Sequence, residues 1–161
     1  MAHAKDYDAL WDHIELYEGR RRTAYVDTAG HPTVGVGFNL DRADASSKLA
    51  ALGHDLARVR AGAVTLTDDE VDELFEPDLA AAIEGAHRLV PRFDALSARR
   101  QHACVDLTFN LGASGFARFT KTLAALDAGD FEAAARELES SRWYGQVGRR
   151  GPAVVAMIRE G

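Results

Sequence analysis

Residues 18–39 read EGRRRTAYVDTAGHPTVGVGFN, and this stretch decides the fold. It sets one acid, Glu18, at the end of a helix and a second, Asp27, nine residues on, in a short hairpin. The first strand of that hairpin is Thr23-Ala24-Tyr25-Val26-Asp27. Residues 28–31 make the turn, with Gly30 free to take positive φ. The second strand, residues 32–38, alternates with period two. Val34, Val36 and Phe38 share one face, and Thr33, Gly35 and Gly37 the other. A face with one hydroxyl and little other bulk lets a ligand approach the backbone closely. Two strand glycines on their own also mark a bulge; together with flanking acids they suggest the floor of a cleft.

On the N-terminal side, Tyr7, Leu10, Trp11, Ile14 and Tyr17 recur at spacings of three and four. That predicts an amphipathic helix over residues 6–18, capped by Asp6 or Asp8 and closed by Gly19. Glu18 falls on the apolar stripe, and Glu15 at its edge. Removal from water disfavours the charged form of a carboxyl, which lets a glutamic acid keep a proton to donate near neutral pH. Position alone leaves a second reading open, a helix-end residue paired with a nearby arginine.

On the C-terminal side, short helices are expected over residues 45–52 and 56–60. Thr67-Asp68-Asp69-Glu70 is a capping box that opens a long helix to about residue 90. Pro77 lies inside it and predicts a kink or break near 73–77, which reads either as an ordinary bend or as a hinge. After Pro91 the pattern is helical throughout: residues 95–111 ending at Gly112, 119–128 ending at Gly129, 131–141 capped by Asp130, and 150–159. The expected class is α+β, mostly α, in one unit of residues 1–161. A small N-terminal lobe with a β-hairpin (about 19–66) is joined by a long helix (about 67–90) to a helical lobe (about 91–161), which helix 6–18 joins.

The bulk numbers narrow the chemistry. The 161 residues are 47% hydrophobic and 27% charged, which fits a packed domain rather than a disordered chain. A net charge of −6 argues against nonspecific nucleic-acid binding. The arginines bunch at 20–22, 99–100 and 149–150, where they could attract an anionic polymer locally. One cysteine, Cys104, forbids an intrachain disulfide, and its apolar neighbours predict buried packing. The six histidines show no metal-ligand spacing, and no P-loop or nucleophile elbow occurs. Residues 1–13, MAHAKDYDALWDH, hold no apolar signal core, so no secretory signal is expected, and no run is long enough to cross a membrane. Paired carboxylates beside a bare cleft fit glycoside hydrolysis, where one acid protonates the leaving oxygen and the other attacks the sugar or holds a water. Thr33 can assist Asp27, its hydroxyl donating to the carboxylate and accepting from the water.

Those residues also carry a resemblance. Glu18-Gly19, Tyr25, Asp27, Gly30, Thr33, Gly35 and Gly37 resemble the E-G…Y-x-D…G…T-x-G-x-G signature of the phage-type lysozymes. The similarity resumes at Thr67-Asp68-Asp69-Glu70, Leu74-Phe75 and Asp78. It continues through Phe109-Asn110-Leu111-Gly112, Gly115-Phe116, Phe119-Thr120, Ala133-Ala134 and Ser141-Arg142-Trp143-Tyr144. It covers nearly the whole chain in order. The resemblance implies a lysozyme-like fold and a muramidase of bacterial peptidoglycan, monomeric, with no cofactor, metal or membrane insertion. It implies Glu18 as general acid, Asp27 with Thr33 positioning water, and inversion of configuration. Gly35, Gly37, Asn39, Phe109, Asn110, Thr122, Glu137 and Arg150 would bind the sugar strand. Arg150 falls where the family has an arginine that reaches the catalytic glutamate. The implied setting is the host cytoplasm without a signal peptide, with action on the cell wall after release.

Three departures stand out. Phe38 replaces a histidine that usually follows the glycines, so a supporting histidine–aspartate pair is expected to be absent. Glu137 stands where the family has an asparagine, and an acid there would weaken binding to an anionic wall. The chain stops at Gly161, short of the family's aromatic tail, which implies less packing between the last helix and the first. Two other readings stay open: a non-catalytic peptidoglycan-binding or phage-particle structural module, and a lytic transglycosylase working with one acid.

Overall fold

The computed structural model describes residues 2–161, which are mostly helical with a small antiparallel sheet. The chain forms two compact units. The sheet unit is Ile14–Asp78; the helical unit combines the residues up to His13 with Leu79–Gly161. Two helices carry the chain from one unit to the other, α1 (Tyr7–Glu18) and α4 (Asp68–Leu89).

In the sheet unit, β1 (Arg21–Val26) pairs antiparallel with β2 (Pro32–Gly35), in a register that sets Tyr25 opposite Thr33. The hairpin does not continue to Phe38 as the alternation predicts. Gly35 and Gly37 both take positive φ, 65° and 66°, and turn the chain. The third strand, β3 (Phe38–Asn39), then pairs back on β2. The sheet therefore has three strands. The apolar alternation outlives the strand because Val36 is buried on the turn itself, beside buried Val34 and Phe38.

Around the sheet lie α2 (Ala45–Ala51), α3 (Leu56–Arg60) and the first turns of α4. Leu49, Val59, Val71 and Phe75 are buried in this unit. The capping box forms as read: the Glu70 amide donates to Thr67 Oγ1 at 3.1 Å, and the Thr67 amide donates to Glu70 Oε1 at 2.9 Å. Of the kink or break expected near 73–77, the break is not found. α4 runs through Pro77 as one helix of 22 residues. A proline inside a helix removes one hydrogen bond, and the apolar residues just before it, Val71, Leu74 and Phe75, are buried and hold the helix in place. At Phe38, where a histidine was expected to be replaced, the Arg42 guanidinium lies over the ring, 4.5 Å from its centroid, and donates to Asp78 Oδ2 and Oδ1 at 2.7 and 3.0 Å; elsewhere in this unit His54 Nε2 pairs with Glu70 Oε2.

The helical unit holds α5 (Ala98–Ala117), α6 (Thr120–Ala128), α7 (Phe131–Glu139), α8 (Arg142–Gln146) and α9 (Arg150–Glu160). α5 breaks at Gly112, whose φ of 74° and ψ of 158° are not helical. A side chain on Gly85 of α4 would meet Thr108 Cγ2 at 2.8 Å, so the bare glycine is what lets α4 and α5 approach. The N-terminal segment is tied to α5: the Lys5 amide donates to Gln101 Oε1 at 2.8 Å, and His102 Nε2 lies 2.7 Å from the Lys5 carbonyl. Cys104 is fully buried, and burial pushes its thiol up to about 12, so it packs rather than reacts. The five-residue α8 is absent from the sequence reading. It is too short to show a period, though its Ser141 cap accepts the Tyr144 amide.

Candidate active site

Glu18 is the last residue of α1, half-buried, and Gly19 closes the helix with φ of 81°. The Glu18 carboxyl lies directly over Gly37. A Cβ on Gly37 would come within 2.7 Å of Glu18 Oε2. The bare face read from the glycines is real at this position, but the space belongs to the acid. Arg20, two residues beyond Glu18, pairs through Nε with Glu15 at 2.9 Å and with Asp68 and Asp72 of α4.

Asp27 follows β1 and is held by backbone. Its Oδ1 accepts the amides of Ala29 at 3.0 Å and His31 at 2.8 Å, while its own amide donates to the His31 carbonyl. This pins the carboxylate and leaves Oδ2 without a protein donor among the described residues. Thr33, directly across from Tyr25 and 3% exposed, donates its hydroxyl to the His31 carbonyl at 3.0 Å. It does not donate to Asp27 as the sequence reading proposed. Its lone pairs remain as acceptors. Asn39 is half-buried, and its Oδ1 accepts the Asp41 amide at 2.8 Å.

Tyr25 ties these groups together. Burial, then the negative charge of Glu18, and more weakly that of Asp27, push its phenol above the ordinary tyrosine value; Arg21 opposes them. A charge acts on a titrating group only at short range in a partly screened site. The charges of both acids thus reach the one phenol. The Arg21 guanidinium sits over that ring, 4.6 Å from its centroid. Tyr25 belongs to the sequence signature, yet spacing alone gave it no place among the candidate site residues.

The remaining candidates lie in the helical unit. Phe109 and Asn110 end the regular part of α5, and Trp143 Nε1 donates to Asn110 Oδ1 at 2.9 Å. Thr122 is buried on α6, and Glu137 is half-buried on α7. Arg150 starts α9 and is buried; its Nε donates to Asp106 Oδ1 at 2.9 Å. Asp106 is 0% exposed and lies 2.6 Å through Oδ2 from His13 Nε2. Sequence reasoning passed over Asp106. Its signal was an acid set inside the apolar run Ala103–Leu107, since a charge there must find partners. Among the described residues, no group of three or more histidine, cysteine, aspartate or glutamate side chains is placed to hold a metal. Nor is any helix long and apolar enough to cross a membrane.

The sequence model of the family described as phage lysozyme matches residues 15–157. The chain is 29% identical over 161 residues to probable T4-type lysozyme 2 of Dictyostelium discoideum, covering 95% of each chain. It is 32% identical over 122 residues to the endolysin of Salmonella phage P22, covering 76% of this chain and 73% of that one. It is 32% identical over 151 residues to the pre-baseplate central spike protein Gp5 of Enterobacteria phage T4. That match covers 89% of this chain and 26% of the spike protein, so the chain spans about a quarter of that relative's length.

Proposed function

We propose, since the chain belongs to the phage lysozyme family and with it to the glycoside hydrolases, that it cleaves the β-1,4 bond between N-acetylmuramic acid and N-acetylglucosamine in bacterial peptidoglycan. The coarser assignment, a hydrolase of peptidoglycan, rests on the family. The finer one is supported by one arrangement above the others: the Glu18 carboxyl seated over the bare Gly37, with Asp27 held at the end of the same hairpin by the Ala29 and His31 amides through one oxygen alone. In this reading, Glu18 donates its proton to the glycosidic oxygen as the bond breaks. Asp27, its Oδ1 occupied by the turn, holds a water through Oδ2. That water attacks the opposite face of the sugar and inverts its configuration. Thr33 is within its turn an acceptor for the same water. Gly35, Gly37 and Asn39 are proposed to contact the sugar strand by their backbone. Phe109, Asn110, Thr122, Glu137 and Arg150 are proposed sugar-binding residues, to be tested one at a time.

The test is lysis of purified wall by the protein and by Glu18→Gln, with the products weighed. Clearing by the parent alone, with hydrated reducing ends, supports the proposal. Equal clearing by both refutes it, and anhydro products would make the protein a lytic transglycosylase. The match to the spike protein favours a second reading, a wall-binding module within a phage particle. Tight retention on peptidoglycan with no release of reducing ends would select that one.

A further inference from the structure

Three consecutive arginines open the sheet, and they differ in what they touch. Arg20 is saturated by Glu15, Asp68 and Asp72. Arg22 donates through Nε to the Leu66 carbonyl at 2.8 Å, and the Leu66 amide donates back to the Arg22 carbonyl. Arg21 is exposed and pairs with no carboxylate among the described residues. Its recorded contact is the stack on Tyr25. Tyr25 in turn stands opposite Thr33 and two residues before Asp27.

A guanidinium laid on an aromatic ring keeps its N–H edges pointing outward in one plane. That is the fork that matches a carboxylate with two parallel hydrogen bonds. The stack also holds the side chain in place before a ligand arrives, so less rotamer freedom is lost on binding. The need for such a group follows from charge. The protein carries −6 overall, and its proposed substrate bears carboxylates on the peptides that hang from the glycan. Like charges repel at long range, and an unpaired cation beside the reacting bond reverses that locally.

Resting on the reading of the protein as a muramidase, we infer that Arg21, held on Tyr25, recognises a carboxylate of the polymer next to the bond that Glu18 and Asp27 cleave. Arg21 is then a specificity residue, not a catalytic one. It distinguishes strands with charged peptides from neutral polysaccharide of the same backbone.

The test uses soluble, un-cross-linked glycan strands in two forms, native and with every carboxylate amidated. Affinity is measured by calorimetry in a Glu18→Gln background, so that no turnover confounds it, with and without Arg21→Gln. Release of reducing ends is followed in parallel with Glu18 intact. Arg21→Gln is expected to weaken binding to native strands roughly tenfold, the weight of one charge-assisted hydrogen-bonded contact. The same change should leave binding to amidated strands unaltered. Arg21→Lys should recover only part of the loss, because an ammonium lacks the fork. With Glu18 intact, Arg21→Gln should raise KM by a similar factor and leave kcat within about twofold. Strands stripped of peptide carry only the lactyl carboxylate, and an undiminished Arg21 effect there names that group as the source. Equal binding by both variants to native strands overturns the inference, as does an equal loss on native and amidated strands. If Arg21-dependent binding is found but no reducing ends are released, the muramidase reading fails, while recognition of a polymer carboxylate by Arg21 stands. If ends are released with no Arg21 effect, the reverse holds.

Discussion

Asp27 in the sheet unit and Asp106 in the helical unit are both acids fixed in place, and they are fixed by opposite means. Backbone amides of a tight turn hold Asp27, and only one of its oxygens is used. Side chains hold Asp106: His13 takes one oxygen and Arg150 the other, with the carboxylate wholly out of water. The first arrangement leaves a carboxylate able to do work on something that arrives. The second consumes its carboxylate in structure. A buried charge is costly to desolvate, and its partners only offset that cost. Removing one member therefore does more harm than the whole group contributes.

The largest effect expected is on turnover. Glu18→Gln should lower wall cleavage by about three orders of magnitude or more, the scale of a lost general acid, with the melting temperature nearly unchanged. Asp27→Asn should lower it about a hundredfold. The amide oxygen can still accept from Ala29 and His31, so the turn survives. Release of reducing ends and thermal melts on the same samples check both. The contrast breaks if Asp27→Asn unfolds the sheet unit.

The reciprocal experiment is Asp106→Asn, which should lower unfolding free energy by about 3 kcal/mol, since it takes the charged partner from the Nε of buried Arg150 and alters the group that His13 Nε2 meets. Urea unfolding of Asp27→Asn and Asp106→Asn side by side tests the difference directly. Equal destabilisation would mean that both acids are structural. Gly37→Ala sharpens the sheet side. The methyl would meet Glu18 Oε2 at 2.7 Å on a backbone with φ of 66°. A loss of roughly tenfold in cleavage and about 1 kcal/mol in stability is expected, measured by the same two assays.

This contrast also explains what could be read from the sequence. Asp27 was legible because its determinants are local: a β-run, then Thr-Ala-Gly-His, with Gly30 at φ of 87°. The Thr67 box and the Asp130 and Gly129 caps were legible for the same reason. Asp106 was not, because its partner His13 lies 93 residues away and nothing near it announces a pair. The seat of Glu18 over Gly37 is likewise a contact across the chain, so the glycine was read as room for a ligand. The strand expected through Phe38 is interrupted where two requirements agree by accident: Val36 is buried on a turn with the same spacing a strand would give. Period two says which residues are buried, and it does not say that the chain stays straight.

Glu70 offers the smallest and most specific test, because it is an acid held by both means at once. The Thr67 amide is the main influence that draws its carboxyl below the ordinary glutamate value; the His54 side chain and the Thr67 hydroxyl add to it. A group depressed in the folded state stabilises above its unfolded pKa and loses that contribution as pH falls through the folded one. Glu70→Ala should therefore lower stability by about 1 kcal/mol near neutral pH, the usual weight of a cap. The gap from the parent should narrow steadily below the usual carboxylate range and close near the acid limit. Glu70→Gln, which can still bond the Thr67 amide, should cost less and show a flatter pH dependence. Melting curves of the three proteins from neutral to strongly acid pH measure this. A gap that stays constant with pH would show that Glu70 acts through packing rather than charge, and would take it out of the contrast altogether.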